Sequence, residues 1–341
     1  MPFIFSFMLS ALLYSVSYVC LAENISSITP YPSVKAPLVN QSLLLDITAV
    51  GHHKLVAVGQ HGHIILSADG ESWHQSNVPV QSTLTKVYFY NENLGWAVGH
   101  DATILHSQDG GASWSIQLFK PRVEKPFFDI VFKSHLEGIA VGAKGLFYRT
   151  IDGGATWNKE HHSEFLSPDN LLYLSELKQK DEEAYLDEHS SLSPHLNHLM
   201  LDGRTLYLVG EHGVISKSND FGINWTLLEH IYKGSFYDII RTLKSKLLVV
   251  GLHGHVFRSS KSGTSWTKPD TNTVALINDI VLTDDGRIFL LAADGVLLES
   301  NDDGQSYILK KQTAGKALIS GIWFNGQLIV ASETGIKIVP L

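Results

Sequence analysis

The chain has 341 residues, with 26 Lys and Arg against 34 Asp and Glu, for a formal net charge of −8. At 44% hydrophobic residues it is too apolar for a disordered protein, and the negative balance excludes a nucleic-acid binder that relies on a basic surface. A single cysteine excludes a disulfide scaffold and any multi-cysteine metal or iron–sulfur site.

Residues 2–22 carry no formal charge and end in Cys20-Leu21-Ala22, with small residues at the −3 and −1 places of a cleavage site. This reads as an export signal cut near Ala22, which sends residues 23–341 to the periplasm or the exterior. The alternative is a retained anchor, since the run is just long enough to span a bilayer. A lipoprotein reading is weaker, because Ser17-Tyr18-Val19 is a poor lipidation box before Cys20. Cleavage leaves no cysteine, which suits an oxidising compartment.

From residue 40 onward one signature recurs. A strand ends in Val-Gly-x-x-Gly, a second strand follows, and then comes Ser-x-Asp-x-Gly-x-Ser/Thr-Trp. Copies include VAVGQHGHIILSADGESW (56–73), IAVGAKGLFYRTIDGGATW (139–157) and YLVGEHGVISKSNDFGINW (207–225). The closing aromatics Trp73, Trp114, Trp157, Trp225, Trp266 and Tyr307 are separated by 41, 43, 68, 41 and 41 residues. A period of 40–45 built from short strands means propeller blades. A lone four-stranded sheet cannot bury both faces, but a ring of sheets buries each against its neighbour. The expected fold is all-β: one seven-bladed propeller over residues 23–341, with four-stranded antiparallel blades and one partly helical insertion. The seventh copy stops after three strands, so Ile25 to Val39 is expected to supply its fourth and clasp the ring.

The Asp-bearing corner is a strand–turn–strand device. Its carboxylate can accept backbone N–H bonds, its Gly supplies a positive φ, and its Trp packs between blades. Asp69, Asp109, Asp152, Asp220 and Asp302, with Trp73, Trp114, Trp157, Trp225 and Trp266, are therefore expected to be structural. The corners of blade 1, one residue shorter, and blade 5, with Lys261 in place of Asp, are expected to be the loosest.

These are Asp-box repeats. With Leu45-Asp46-Ile47, Gly95-Trp96-Ala97-Val98-Gly99 and Asp152-Gly153-Gly154-Ala155-Thr156-Trp157, the chain resembles the photosystem II stability/assembly factor family over about residues 40–341. That resemblance implies a seven-bladed propeller outside the cytoplasm. It implies a protein partner bound during assembly of a membrane complex, and no catalytic residues. No Trp-Asp dipeptide occurs, which argues against the WD40 class.

In a four-stranded blade, the turn between strands 2 and 3 shares a face with the link to the next blade. That face should carry the variable residues of the Val-Gly-x-x-Gly turns. His61, His100, Asp101, Lys144, Glu211, His212, His253 and Asp294 are the candidate partner-binding residues. It should also carry an insertion after Trp157, at about 160–190. Ser167-Pro168-Asp169-Asn170 is a helix start, and Leu171, Leu174 and Leu177 follow at helical spacing. Residues 158–196 hold nine acids and three lysines. The insertion reads either as a solvated helix or as a docking arm. His61, His212 and His253 sit on different blades, ~10 Å or more apart and beyond the ~2 Å bonds of one zinc ion, so no metal is expected. His161, His162 and Glu164 lie closer together in the insertion, but their spacing alone does not define a site. Asp46, Asp129, Asp238 and Asp279 begin inner strands. They either make an acidic channel mouth or satisfy neighbouring backbone groups.

Asp-box propellers also include sialidases, which need an arginine cluster beginning with a Phe/Tyr-Arg-Ile-Pro motif in the first blade. Here the first of six arginines is Arg122, and that motif is absent. No lone carboxylate pair suggests glycoside hydrolysis. A glycan-binding module is a third reading, but the variable turns offer no Trp or Tyr platform. The expectation is a monomeric, cofactor-free, non-catalytic scaffold for a protein partner, such as a membrane protein or complex.

Overall fold

A computed structural model describes residues 28–261, 263–312 and 315–341; the expected signal segment and Cys20 lie outside the described residues. Seven antiparallel sheets follow one another along the chain, six of four strands and one of three. Their inner strands are Leu44–Val50, Leu84–Phe89, Phe127–Phe132, Leu196–Asp202, Phe236–Arg241, Ile277–Leu282 and Leu318–Phe324. Second strands such as Gly95–Gly99 and Leu247–Gly251 are buried at every residue. That is the pattern of a strand covered on both faces rather than one face facing water.

The core is divided into seven clusters, one at each junction between neighbouring blades. One of them joins Phe324, Ile329 and Ala331 of blade 7 to Leu44, Ile47, Leu55 and Ala57 of blade 1. The protein is thus a seven-bladed β-propeller whose first and last sheets pack on each other. Full burial of each such aliphatic side chain is worth about 1.5–3 kcal/mol.

The described part of the N-terminal stretch does not complete blade 7. The Ser33 N–H donates to the Val78 carbonyl at 2.9 Å, and the Ala36 N–H donates to Gln75 Oε1 at 2.9 Å. Gln81 Nε2 donates to the Pro32 carbonyl at 3.0 Å. Residues 32–36 therefore run along the outside of blade 1. Pro30, Pro32 and Pro37 explain the difference, because each removes a ladder donor from a would-be strand. Val39, buried in the junction between blades 7 and 1, and Ala36, packed against the same cluster, help to close the ring. Among the described residues blade 7 ends at its third strand, Gly335–Val339.

The insertion is two short helices, α1 (Pro168–Lys180) and α2 (Glu182–Leu192). The Ser167 hydroxyl caps α1 by accepting from the Asn170 N–H at 3.2 Å, with proline in the first turn as expected. Asp181 ends α1 and caps α2, accepting from the Ala184 N–H at 3.0 Å. A single residue thus turns the chain. No helix among the described residues is long and apolar enough to cross a membrane.

Candidate partner-binding face and axial ring

The Asp-box corners consume their own side chains. Asp152 accepts from the Thr156 N–H at 2.9 Å, the Thr156 hydroxyl at 2.6 Å and the Thr150 hydroxyl at 2.8 Å. Asp220 and Asp302 repeat the pattern. These donors hold the carboxyls of Asp152, Asp220 and Asp302 at about 2. Asp109 is lowered as well, its hydrogen bonds with Ser113 and Ser107 outweighing burial. The shorter corner of blade 1 is equally well bonded, contrary to the expected looseness. Asp69 accepts from the N–H groups of Glu71 and Ser72 and from the Ser67 hydroxyl, and it too lies at about 2. In blade 5 the indole N–H of Trp266 finds no acceptor, but neither does that of Trp225 on the well-bonded Asp220 corner, so this does not set blade 5 apart.

The Val-Gly-x-x-Gly turns do the opposite. A Cβ on Gly59, Gly99, Gly142, Gly210 or Gly251 would sit 2.1–2.3 Å from a carbonyl oxygen just before its own inner strand. A Cβ on Gly62, Gly213 or Gly254 would meet the carbonyl of Val80, Tyr232 or Thr273 at 1.8–2.1 Å. Both glycines are therefore fixed by close backbone approach, and only the pair between them is free to vary. His61, Lys144, His212, His253 and Asp294 hold the second place of that pair at φ 50–58°, with their side chains outward and exposed. His100 is exposed too, whereas Asp101 accepts the Ser82 hydroxyl at 2.5 Å and Glu211 accepts the His195 N–H at 2.8 Å. All eight residues lie on one face, spread over six blades.

The insertion stands on that same face. The Gly145 N–H of the blade 3 turn donates to the Pro194 carbonyl at 2.8 Å, and Lys125 bonds Ser190 of α2. Its root is wedged between blades 3 and 4. His162 has Glu164 on Nδ1 at 3.0 Å and Glu160 on Nε2 at 3.3 Å, and Arg149 grips Glu160 at 2.6 Å. Burial opposes the His162 charge, but the two carboxylates raise its pKa on balance. The same ion network holds Glu160 at about 2 against its burial. Phe165 packs on Trp225 with ring centres 5.7 Å apart. Among the leucines at helical spacing, Leu174 is buried, Leu177 is half-buried and Leu171 is exposed. Leu172 and Tyr173 beside it are exposed as well.

At the centre, an axial cavity of about 280 Å³ is lined by Asp46, Lys86, His198, Asp238, Asp279 and Ser320, among others. Every inner strand bulges at one register, and the residue after the bulge is Asp46, Lys86, Asp129, His198, Asp238, Asp279 or Ser320. The carboxylates mostly reach the next blade's backbone. Asp46 accepts from Val87 N–H at 2.9 Å, Asp129 from Leu199 at 2.7 Å, Asp238 from Ile280 at 2.8 Å and Asp279 from Gly321 at 2.7 Å. Ser320 closes the ring by donating to Asp46 at 2.8 Å. Of the two expectations for these acids, the backbone-satisfying one describes their bonds.

Lys86 and His198 are ring members that counting aspartates misses; aligning the copies at Leu45-Asp46-Ile47 would have shown both. Lys86 lies 3.2 Å from Asp46, and His198 bridges Asp129 at 2.8 Å and Asp238 at 3.1 Å. Burial opposes both positive charges, yet the surrounding carboxylates raise both pKa values on balance. Burial, reinforced by Asp279 beside it, pushes the Asp238 carboxyl up to about 7. No group of three or more His, Cys, Asp or Glu that could hold a metal occurs among the described residues.

Comparison with known proteins agrees with this architecture. Over 47 residues the chain is 45% identical to "Photosystem II assembly protein Ycf48" of Synechococcus sp. (strain JA-3-3Ab), a stretch covering 13% of this chain and 14% of that relative. The solved structure "YCF48 bound to D1 peptide" superposes with a TM-score of 0.64 at 18% identity, over 90% of this chain and 97% of the other. YCF48 from Cyanidioschyzon merolae gives 0.64 at 17% identity, over 89% and 96%. Identities that low establish a shared fold. A family model, described as "Photosynthesis system II assembly factor YCF48", matches residues 65–121 and 116–307, well over half of the sequence. The chain belongs to the photosynthesis system II assembly factor YCF48 family.

Proposed function

We propose that this protein is a non-catalytic scaffold that holds a segment of a partner protein during assembly or maintenance of a membrane complex. We place its work outside the cytoplasm, after removal of residues 1–22. The observation that carries the reading is family membership, together with a solved relative of the same fold that carries a D1 peptide. The geometry supports a particular docking face. The exposed turn residues His61, His212 and His253, the mouth of the axial cavity and the helical arm share one side of the disc, while the opposite corners spend their polar groups internally.

The test is recovery of membrane-complex subunits from solubilised membranes by the full chain. A second bait has 168–192 replaced by a short Gly-Ser linker. The root at 160–166 stays, because Glu160 and Phe165 are packed into the junction between blades 3 and 4. Loss of subunits with the shortened arm supports the docking face, and equal recovery removes the arm from it. Cleavage of a fluorogenic glycoside, or glycan binding without subunit recovery, would replace the scaffold by the enzyme or lectin reading.

A further inference from the structure

Blade 7 lacks an outer strand among the described residues, and its third strand differs accordingly from the other six. At one register the third strands of blades 1–6 carry Ile65, Leu105, Tyr148, Ser216, Phe257 and Leu298, all buried. Blade 7 carries Lys337 there, and it is exposed. Ile338 beside it is 39% exposed. Lys316, Lys337, Leu318 and Val339 line a cleft of about 120 Å³ along this edge.

We propose that the outer edge of Gly335–Val339 is a docking site for an extended, acidic segment of the partner, which adds as the fourth strand of blade 7. This rests on the reading of the protein as a scaffold for a partner segment. An edge strand offers a row of unpaired backbone groups, and strand addition is a recurrent mode of peptide recognition. The strand begins at the turn containing Glu333 and Thr334, on the same face as the variable turns. A segment held on that face can therefore continue down the rim. Charge selects the occupant. Lys310 is paired with Glu299 and Lys316 with Glu333, but Lys311 and Lys337 have no ion pair among the described residues. Two copies of this edge paired about a two-fold axis would set Lys337 opposite Lys337, which like-charge repulsion disfavours. The described part of the chain's own N-terminal segment is poorly placed. Residues 32–36 run away from blade 7 along blade 1, toward Val78 and Gln81.

The test titrates the full chain with a fluorescein-labelled nine-residue peptide alternating valine and glutamate, and with its lysine-for-glutamate counterpart. Amide exchange is read on Gly335–Val339. The acidic peptide is expected to bind, to protect those amides, and to bind about tenfold more weakly to Lys337→Glu, which in turn favours the lysine peptide. Equal affinity of both proteins for both peptides overturns the proposal, as does failure of the acidic peptide to bind. So does finding those amides already protected in the full chain and released by deletion of residues 1–27. Membrane-subunit recovery separates the two readings. Equal recovery by wild type and Lys337→Glu sinks the edge and spares the scaffold. Peptide binding at the edge with no subunit recovered by either protein sinks the scaffold alone.

Discussion

The two kinds of repeated turn use similar ingredients for opposite ends. Asp-box corners and Val-Gly-x-x-Gly turns both need glycine, both recur around the ring, and both join adjacent strands. In the corner the side chains make the turn: Asp152 takes three hydrogen bonds and Trp157 fills the junction behind it. In the other turn the backbone makes itself, since two glycines let carbonyls pass within what would be Cβ distance. His61, Lys144, His212 and His253 between those glycines are released from structural duty, whereas Asp101 and Glu211 still bond neighbouring loops. Repetition on one side therefore marks architecture, while variation on the other marks the surface available for recognition.

Removing a corner's packing should give the largest effect. Trp157 is 8% exposed, so Trp157→Ala should cost about 3–5 kcal/mol in urea unfolding. Next comes a glycine of the opposite turn. Gly213 has φ +76°, and a Cβ there would lie 1.8 Å from the Tyr232 carbonyl oxygen. Gly213→Ala should cost about 2–4 kcal/mol, the sum of left-handed strain and overpacking. A cost below about 0.5 kcal/mol would show that the turn relaxes freely and would break the comparison.

Much of this contrast was legible in the sequence. The spacing of the tryptophans set the blade count, and the motif assigned the carboxylates of Asp109, Asp152, Asp220 and Asp302 to turns. What was not legible depended on contacts between copies. Aligned copies place Lys86 and His198 at the register of Asp46, but nothing local pairs them with Asp46, Asp129 and Asp238; only closure of the ring brings those blades together. The role of Glu160 was hidden similarly, because its partner Arg149 lies on a neighbouring strand and His162 falls at the start of an irregular insertion. A strand count alone implies the N-terminal clasp, but Pro30, Pro32 and Pro37 work against a strand there.

Titration should separate the corners from Asp238 and His198 of the hub by sign, while Asp129 of the hub is lowered like the corners. Asp69, Asp152, Asp220 and Asp302 are depressed to about 2, so the stability they contribute is present above the ordinary carboxylate value and is lost as pH falls toward 2. Asp238 is raised to about 7 and His198 is also raised, so the folded protein holds protons that the unfolded chain releases. Their share of stability falls as pH rises, from near 4 to about 7 for Asp238 and from near 6.5 upward for His198. His63, His106, His161, His189, His195 and His255 are lowered by burial and pull the other way, so the share of the ring is read by difference. Relative to wild type, Asp238→Asn should gain urea midpoint at pH 8 over pH 6 while leaving the acid limb below pH 4 in place. An unchanged difference between the two midpoints in Asp238→Asn would contradict the arrangement of the axial ring.

The smallest effect on folding belongs to the residues with the strongest functional claim. His212 and His253 are exposed and sit at positive φ, a strain that alanine shares with histidine. His212→Ala and His253→Ala should therefore shift stability by no more than about 0.5 kcal/mol. A variant carrying both substitutions should recover less partner from solubilised membranes, because side chains freed from structural work are those that can touch another molecule. An unfolding shift above about 1 kcal/mol with undiminished recovery would reverse the division between the two turns, making the variable pair part of the frame.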